Sequence, residues 1–379
     1  MLVDGSSAPQ RGVLAARPNG EAWLGRWRAR LDSLPWRAYR ERKQETFSCG
    51  WLPSRLAGRI NELRPDLVHV HWIGGGMLRL EELAHLKAPL VWTLHDMWPF
   101  TGGCHHSHDC QRYEDRCGAC PQLGSNKADD LSARVLGRKL AAWARLNMSV
   151  AAPSRWLAGC ASASRLFAGR GVETIIHGID AETFAPQARA RQELGLSADK
   201  RLLLFVAEDA VNNPFKGFDL LLSALERLAA LGWRDKAELL VLGSSEPSPP
   251  VDSALPIRFL GPLEQARGLA LVYSAADVLA APSRSEALGL TVMEAMACGT
   301  PAAAFEVGGI PDMITDGVNG RLAPPGEVEG LVSALHELLA DPALREKMGQ
   351  QARQEAEARF GLPDQARSYL KLYEEVLGS

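Results

Sequence analysis

An α/β chain of two doubly wound, parallel-sheet domains is what this sequence predicts, and three observations predict it. Its 379 residues exceed what a single hydrophobic core usually organises. Short aliphatic runs of strand length alternate with helical periodicity in both halves. A polar, Pro-containing stretch from Phe184 to Lys200 lacks strand character and suits an interdomain connection.

The first series opens at Asp66–Ile73, which reads as a buried strand, and Ala88–Leu94 repeats its character after a short helical stretch around Leu80 to Leu86. A long helical pattern from Leu131 to Leu146 leads to the strand Ser149–Ala152, Pro153-Ser154 starts another helix near Trp156, and Val172–Ile176 closes this half. The second series has strands at Arg201–Val206, Glu238–Leu242, Ile257–Leu260 and Asp277–Ala281, with a helix from Phe218 to Leu231. A last helical pattern carries Leu370, Leu372, Tyr373 and Leu377 after the break at Gly361-Leu362-Pro363. The expected domains are therefore 1–183 and 184–363, with the helix of 364–379 packing back on the first. Open α/β sheets bind ligands outside the C-terminal ends of their strands, so two such domains are expected to face a central cleft lined by residues at those ends.

With 46% hydrophobic and 23% charged residues, the composition is that of a globular protein. A net charge of -3 and the lack of a dominant basic patch argue against a nucleic-acid partner. No apolar run reaches the length of a membrane span, and the opening MLVDGSSAPQRG has no apolar signal core, so a bacterial-type cytoplasmic enzyme is the expectation.

The chemistry concentrates first between Ala281 and Pro301. A strand end, a loop and a helix stopped by Gly299 and Pro301 carry Glu286 and Glu294 with seven residues between them. Gly289, just before the helix, lets the free N–H groups of Leu290 and Thr291 approach a diphosphate with the helix dipole behind them. Glu294, one turn in, can reach ribose hydroxyls. The stretch SEALGLTVMEAMACGTP, continued by AAFEVGGIPDMITDGVNGRL, resembles the donor site of retaining glycosyltransferase family 4, which has the GT-B fold of two Rossmann-like domains. Asp312 stands where that family usually has Glu, a shorter carboxylate expected to shift a loop contact. In Phe215-Lys216-Gly217 the chain resembles the family's Lys-Gly pair, which implies that Lys216 contacts the donor phosphates; Asn212 or Asn213 would assist, since AEDAVNN offers none of the upstream Arg that many relatives carry.

His95 and Asp96 end the strand of Trp92-Thr93-Leu94. The resemblance implies that His95 lies beside the reacting sugar and that Asp96 orients it. The segments HVHWIGGGML, TLHDMWPFTGGCHHSHDCQRYEDRCGACPQLGS and APSRWLAGCASAS resemble the exopolysaccharide, colanic-acid-type branch of the family. Gly74, Gly75 and Gly76 follow a strand and permit close backbone approach to a ligand, or simply a strand-to-helix turn. Arg155 faces either the site or solvent.

Cys104, Cys110, Cys117 and Cys120 have the spacing C-x5-C-x6-C-x2-C, with His105, His106 and His108 interleaved. The C-x2-C half is compatible with a structural zinc, the other half is longer than common zinc spacing, and a disulfide-stapled or reduced loop is the alternative. No catalytic metal or other cofactor is required, as the resemblance implies, because helix N-terminus and lysine serve the leaving diphosphate. Family members also begin with a strand, a Gly-rich turn and a helix ahead of the segment that Met1-Leu2-Val3 matches, so the first domain is expected to lack its first βα unit, either because the start lies upstream or because the chain is impaired. The first helical pattern sets Leu24, Trp27 and Leu31 among Arg26, Arg28, Arg30, Arg37, Arg40, Arg42 and Lys43. A membrane-surface role there, at the inner face of the plasma membrane, suits a lipid-linked acceptor, with a helix packed on its own domain as the alternative. The expected function is transfer of a sugar from a nucleotide diphosphate sugar to a glycan or lipid-linked oligosaccharide. A descendant that binds without transferring, and a zinc-stabilised interaction protein, are the alternatives.

Overall fold

The computed structural model describes residues 2–3, 14–15, 22–263 and 265–378, with side chains from Trp27 onward. The chain forms two compact units, Met1–Ile175 with Tyr369–Ser379, and Ile176–Ser368. This places residues 176–183 with the second unit, not the first. Ile179 donates its N–H to Phe360 O at 2.7 Å, the Arg353 guanidinium donates to Ala181 O and Phe184 O, and Phe184 is buried in the second unit's core.

In the first unit β1 (Leu2–Val3) pairs in parallel with β2 (Leu14–Ala15) as a separate two-stranded sheet. The main sheet is four parallel strands in sequence order, β3 (Val68–Val70), β4 (Leu90–Thr93), β5 (Met148–Ala152) and β6 (Val172–Thr174). Every residue of β4 is buried, as expected of a central parallel strand covered on both faces. The helix Leu131–Trp143 is capped by Asp130, whose carboxylate accepts from the amides of Ser132 and Ala133, and Ser154 Oγ caps the helix Arg155–Ala163 from Leu157 N at 3.1 Å. Trp92, Trp98 and Trp143 pack edge to face or tilted at centroid separations of 5.1 to 6.5 Å. Lys139 is buried among them, its Nζ donating to the carbonyls of Trp98 and Thr101, and burial pushes its pKa down to about 7. The chain's last helix, Leu362–Gly378, buries Tyr369 and Leu372 against Val91, Ala151 and Ile175 of this unit, whereas Leu370 and Leu377 are exposed.

The second unit carries six parallel strands, β7 (Arg201–Val206), β8 (Ala237–Leu242), β9 (Ile257–Gly261), β10 (Val278–Ala281), β11 (Ala302–Phe305) and β12 (Gly320–Ala323), in the order β12-β11-β10-β7-β8-β9. This is the doubly wound Rossmann order, and its switch point falls between β7 and β10. Alternate residues of β7 enter opposite cores, Leu202 and Leu204 on one face and Leu203 and Phe205 on the other. The sequence reading stopped short of β11 and β12, because Ala302-Ala303-Ala304 has little β preference of its own and is a strand through burial alone.

Candidate functional site

Two groups of polar side chains stand at the C-terminal ends of strands, one on each sheet. In the second unit, the loops after β7 and β10 meet at the switch point. Gly217 has φ +70°, and a Cβ there would lie 2.0 Å from Pro282 O, so only glycine seats the 214–216 turn against the end of β10. Arg284 sews the loops together, donating its N–H to Phe215 O at 2.7 Å and its guanidinium to both oxygens of Asp219 at 2.8 and 2.6 Å. Lys216 Nζ is thereby brought to 2.6 Å from Glu286 Oε1, which also accepts from Ser283 Oγ at 2.8 Å. Gly308 and Gly309 clamp the main chain of Glu286. The Gly309 N–H donates to Glu286 O at 3.1 Å, and at Gly308 (φ +54°) a Cβ would fall 1.8 Å from that oxygen.

Gly289 (φ +99°) then starts the helix Leu290–Ala297, whose first two residues, Leu290 and Thr291, have N–H groups without an intrahelical acceptor. Leu290 is half exposed. Glu294 lies in the second turn and accepts from Tyr273 Oη at 2.6 Å; burial holds its carboxyl above the usual range, and the Tyr273 bond only partly offsets this. Asn213 uses its side-chain oxygen to cap the 214–216 turn from Phe215 N at 3.1 Å. Asp312, read as a loop contact, is buried, and its carbonyl accepts from Arg359. A cation, free helix amides and two carboxylates thus share one end of one sheet, where they can hold a diphosphate at one side and hydroxyls at the other.

In the first unit, His95 and Asp96 follow β4, and His71 and Trp72 follow β3, linked pairwise. His71 Nδ1 and His95 Nε2 are 2.9 Å apart, and Trp72 Nε1 donates to Asp96 Oδ2 at 3.0 Å. The Asp96 carboxylate is also held from its own loop: His105 Nδ1 lies at 2.6 Å from Oδ2, and Trp98 N donates to Oδ1 at 2.9 Å. Burial works to raise the Asp96 pKa, but His105 and the Trp98 amide outweigh it and hold the carboxyl below its usual value. His105 Nε2 is bonded to Ser48 Oγ at 2.9 Å, and Ser48 Oγ accepts from Gly75 N at 2.9 Å, so the relay ends on the glycine turn. Gly75 (φ +60°) and Gly76 (φ +74°) are in the left-handed region, and Arg28 Nε donates to Gly76 O at 2.9 Å. Arg155 is the exposed first residue of its helix.

Cys104, Cys110, Cys117 and Cys120 are free thiols lining one small cavity, and burial raises the pKa of Cys104, Cys117 and Cys120. Among the described residues no three His, Cys, Asp or Glu side chains are grouped so as to hold a metal ion. The loop is closed by polar contacts instead: Asp130 Oδ2 accepts from Cys120 N at 2.8 Å, Ser132 Oγ from Gly118 N at 2.9 Å, and Arg112 donates to the carbonyls of Gly118 and Ala119. His105, grouped with these cysteines by sequence, turns to Asp96. Arg28 and Arg42, expected on the outside of the first helical region, turn to backbone carbonyls, while Arg30, Arg37, Arg40 and Lys43 are exposed, as are Trp27 and Leu31. Leu24 and Arg26 have side chains outside the described set.

Sequence reasoning missed Ser48, Trp72, Tyr273, Ser283 and Arg284, and gave His71 no role. Ser283 and Arg284 stand inside the motif that was read, while no spacing rule connects 48, 72, 96 and 105.

Comparison with known proteins bears on both groups. Residues 10–183 match the model of Glycosyltransferase Family 4, and residues 186–355 match that of Glycosyl transferases group 1. The chain is 33% identical over 332 residues to the D-inositol 3-phosphate glycosyltransferase of Kribbella flavida, covering 81% of this chain and 70% of the relative. It is 32% identical over 306 residues to the enzyme of that name from Thermobifida fusca, covering 75% and 64%. The fold is similar to sucrose-phosphate synthase from Thermosynechococcus elongatus (TM-score 0.64, 24% identity, 85% and 76% covered) and to Anabaena HepE in complex with UDP-glucose (TM-score 0.61, 18% identity, 84% and 82% covered). Both units therefore have the Rossmann-like form of GT-B proteins.

Proposed function

Because this chain belongs to the glycosyltransferases of family 4, with a group 1 glycosyl transferase domain in its second half, we propose that it moves a sugar from a nucleotide diphosphate donor, with retention of configuration, onto a glycan or lipid-linked acceptor in cell-surface polysaccharide biosynthesis. The observation that carries this reading is the 2.6 Å Lys216–Glu286 pair beside the Gly289-started helix, at the switch point of a Rossmann sheet. Lys216 and the amides of Leu290 and Thr291 stabilise the departing diphosphate, which removes the need for a catalytic metal. Glu286 holds hydroxyls of the transferred sugar when substrate displaces its ion pair, Glu294 holds the ribose, and Asn213 keeps the lysine turn in place. On the first unit, His95 and Asp96 serve the reacting sugar and the acceptor, with Gly74, Gly75, Gly76 and Arg155 on the acceptor side. The reading puts the enzyme in the cytoplasm. Trp27, Leu31 and the exposed arginines near them supply peripheral contact with an anionic membrane.

A second reading of the acceptor comes from the relatives, whose name specifies an inositol phosphate. A cyclic polyol acceptor fits the same donor chemistry. The test is a panel of UDP-, GDP- and ADP-linked sugars screened for thermal stabilisation of the pure protein, where a ligand at about a hundred times its Kd adds about 2.7 kcal/mol. The stabilising donor is then incubated with lipid-linked glycan and inositol 3-phosphate, and the anomeric configuration of the product is read by NMR. Stabilisation by one donor and a retained product are expected; a panel without any stabilising donor would reject the reading.

A further inference from the structure

Trp72 is solvated in the opposite sense to the tryptophans around it. Trp92, Trp98 and Trp143 are buried, at 0 to 2% exposure, whereas Trp72 is 48% exposed. Its one polar atom is engaged by the protein, Nε1 donating at 3.0 Å to the Asp96 carboxylate, whose side chain is only 12% exposed. The hydrocarbon part of the indole is therefore what meets solvent. An exposed Trp on a surface normally keeps its N–H in water and its ring on the protein, so this inversion leaves an apolar face uncovered for a reason other than core packing.

The ring is also fixed. A Cβ on Gly74 would come to 2.9 Å of the Trp72 ring and one on Gly75 to 3.2 Å, so the two glycines make room for the indole to lie against the turn. The turn is tied to Ser48 through Gly75 N, Ser48 to His105, His105 to Asp96, and Asp96 back to Trp72. Side chain and turn are thus tied together by one chain of hydrogen bonds that the backbone from 72 to 75 closes, and the rotamer entropy of the indole is already lost before any ligand arrives. At the ends of the same two strands, His71 Nδ1 and His95 Nε2 are 2.9 Å apart.

We propose that Trp72 is a preformed stacking platform for the ring of the acceptor, a hexopyranose or cyclitol. Such rings are amphipathic in the way this site is. Their axial C–H faces are apolar and stack on an aromatic plane, and their equatorial hydroxyls point outward from it to polar groups and water. His105 and Ser48 are positioning residues that act through Asp96 and Gly75. The inference rests on the glycosyltransferase reading and names the acceptor class for it.

The test uses saturation-transfer NMR of the full chain with methyl α-glucopyranoside and myo-inositol as probes, on wild type, Trp72→Leu and Trp72→Phe. Transfer to the ring C–H protons of at least one probe is expected in the wild type, about tenfold weaker in Trp72→Leu and largely restored in Trp72→Phe, which keeps the aromatic plane but not the N–H. A merely structural role for Trp72 would not be rescued in this pattern. Equal transfer in wild type and Trp72→Leu, or no transfer to either probe in the wild type, overturns the platform. In parallel, thermal stabilisation by the nucleotide sugar selected in the donor panel is expected to be the same in all three proteins. Loss of that stabilisation in the wild type would count against the glycosyltransferase reading itself, whereas its retention alongside failed stacking counts against Trp72 alone.

Discussion

The polar group around Lys216 in the second unit and the one around Asp96 in the first are built by different means. Around Lys216 and Glu286 the main chain sets the geometry: Gly217, Gly289 and Gly308 take left-handed conformations, and two of them lie where a Cβ would strike a carbonyl at 2.0 or 1.8 Å. Around Asp96 the side chains set it, with residues 72, 96, 105 and 48 joined in a chain of hydrogen bonds that ends on Gly75 N. A backbone-built site is written in short contiguous motifs, since the residue that must be glycine sits next to the one that does the chemistry. A side-chain-built site is spread over the chain, and each member by itself looks ordinary.

The largest effect is therefore expected from one methyl group on the donor side. Gly308→Ala places its Cβ against Glu286 O, and overpacking of this kind costs about 1–3 kcal/mol on top of about 1–2 kcal/mol for a left-handed non-glycine residue. The loop must move, so donor-induced thermal stabilisation and sugar transfer should both vanish. Gly195→Ala is the control, since its φ of +60° is similar but no atom lies within 4 Å of the added Cβ. It should lose about 1–2 kcal/mol in urea unfolding and keep donor binding. If the two variants behave alike, backbone construction of the site is wrong. Next in size is Lys216→Ala, which removes a preorganised cation from the leaving diphosphate and should lower kcat about a hundredfold to a thousandfold with an unchanged melting temperature. Unchanged turnover in steady-state assays would move the phosphate contact elsewhere.

The same contrast explains how much of the molecule could be read beforehand. The strands at 201–206 and 237–242 stand in the sequence as aliphatic runs, and the helix after Gly289 is announced by its glycine and ended by Gly299 and Pro301. Ala302–Phe305 gives no such signal, because burial and not preference makes it a strand. At the site, Gly289, Glu286 and Glu294 stand together in one short stretch whose spacing can be read, whereas Lys216 is singled out only by the resemblance of Phe215-Lys216-Gly217 to the family's Lys-Gly pair. The contact between Asp96 and His105 was not legible: a loop brings His105 Nδ1 to 2.6 Å from the Asp96 carboxylate from nine residues further along the chain. Periodicity says which face of an element is buried, and it carries no information on which polar side chains meet across loops. The four cysteines show the converse. Their spacing suggested a shared ligand, and they do line one cavity, but the guanidinium, carboxylate and hydroxyl that close the loop come from Arg112, Asp130 and Ser132, which no cysteine rule includes.

The smallest expected effect sharpens the comparison from the first unit, where side-chain construction should make stability depend on protonation. His69 accepts or donates at both ring nitrogens, to Tyr373 Oη at 2.6 Å and Thr93 Oγ1 at 2.7 Å, and so joins β3 and β4 to the last helix. Burial, with smaller contributions from His71 and His95, pushes its pKa down to about 4, from an ordinary value near 6.5. The unfolded chain therefore binds the proton more tightly than the folded one. The stability that neutral His69 contributes is fully present above about pH 6.5 and is lost as the pH falls toward about 4. His71, also lowered by burial, adds to the slope in the same direction. In urea unfolding followed from about pH 7 to about pH 4, His69→Gln should lose part of the acid sensitivity and His69→Gln with His71→Gln more of it. If both variants keep the wild-type slope, the histidine column does not hold the last helix to the sheet, and the first unit's site would owe its geometry to backbone after all.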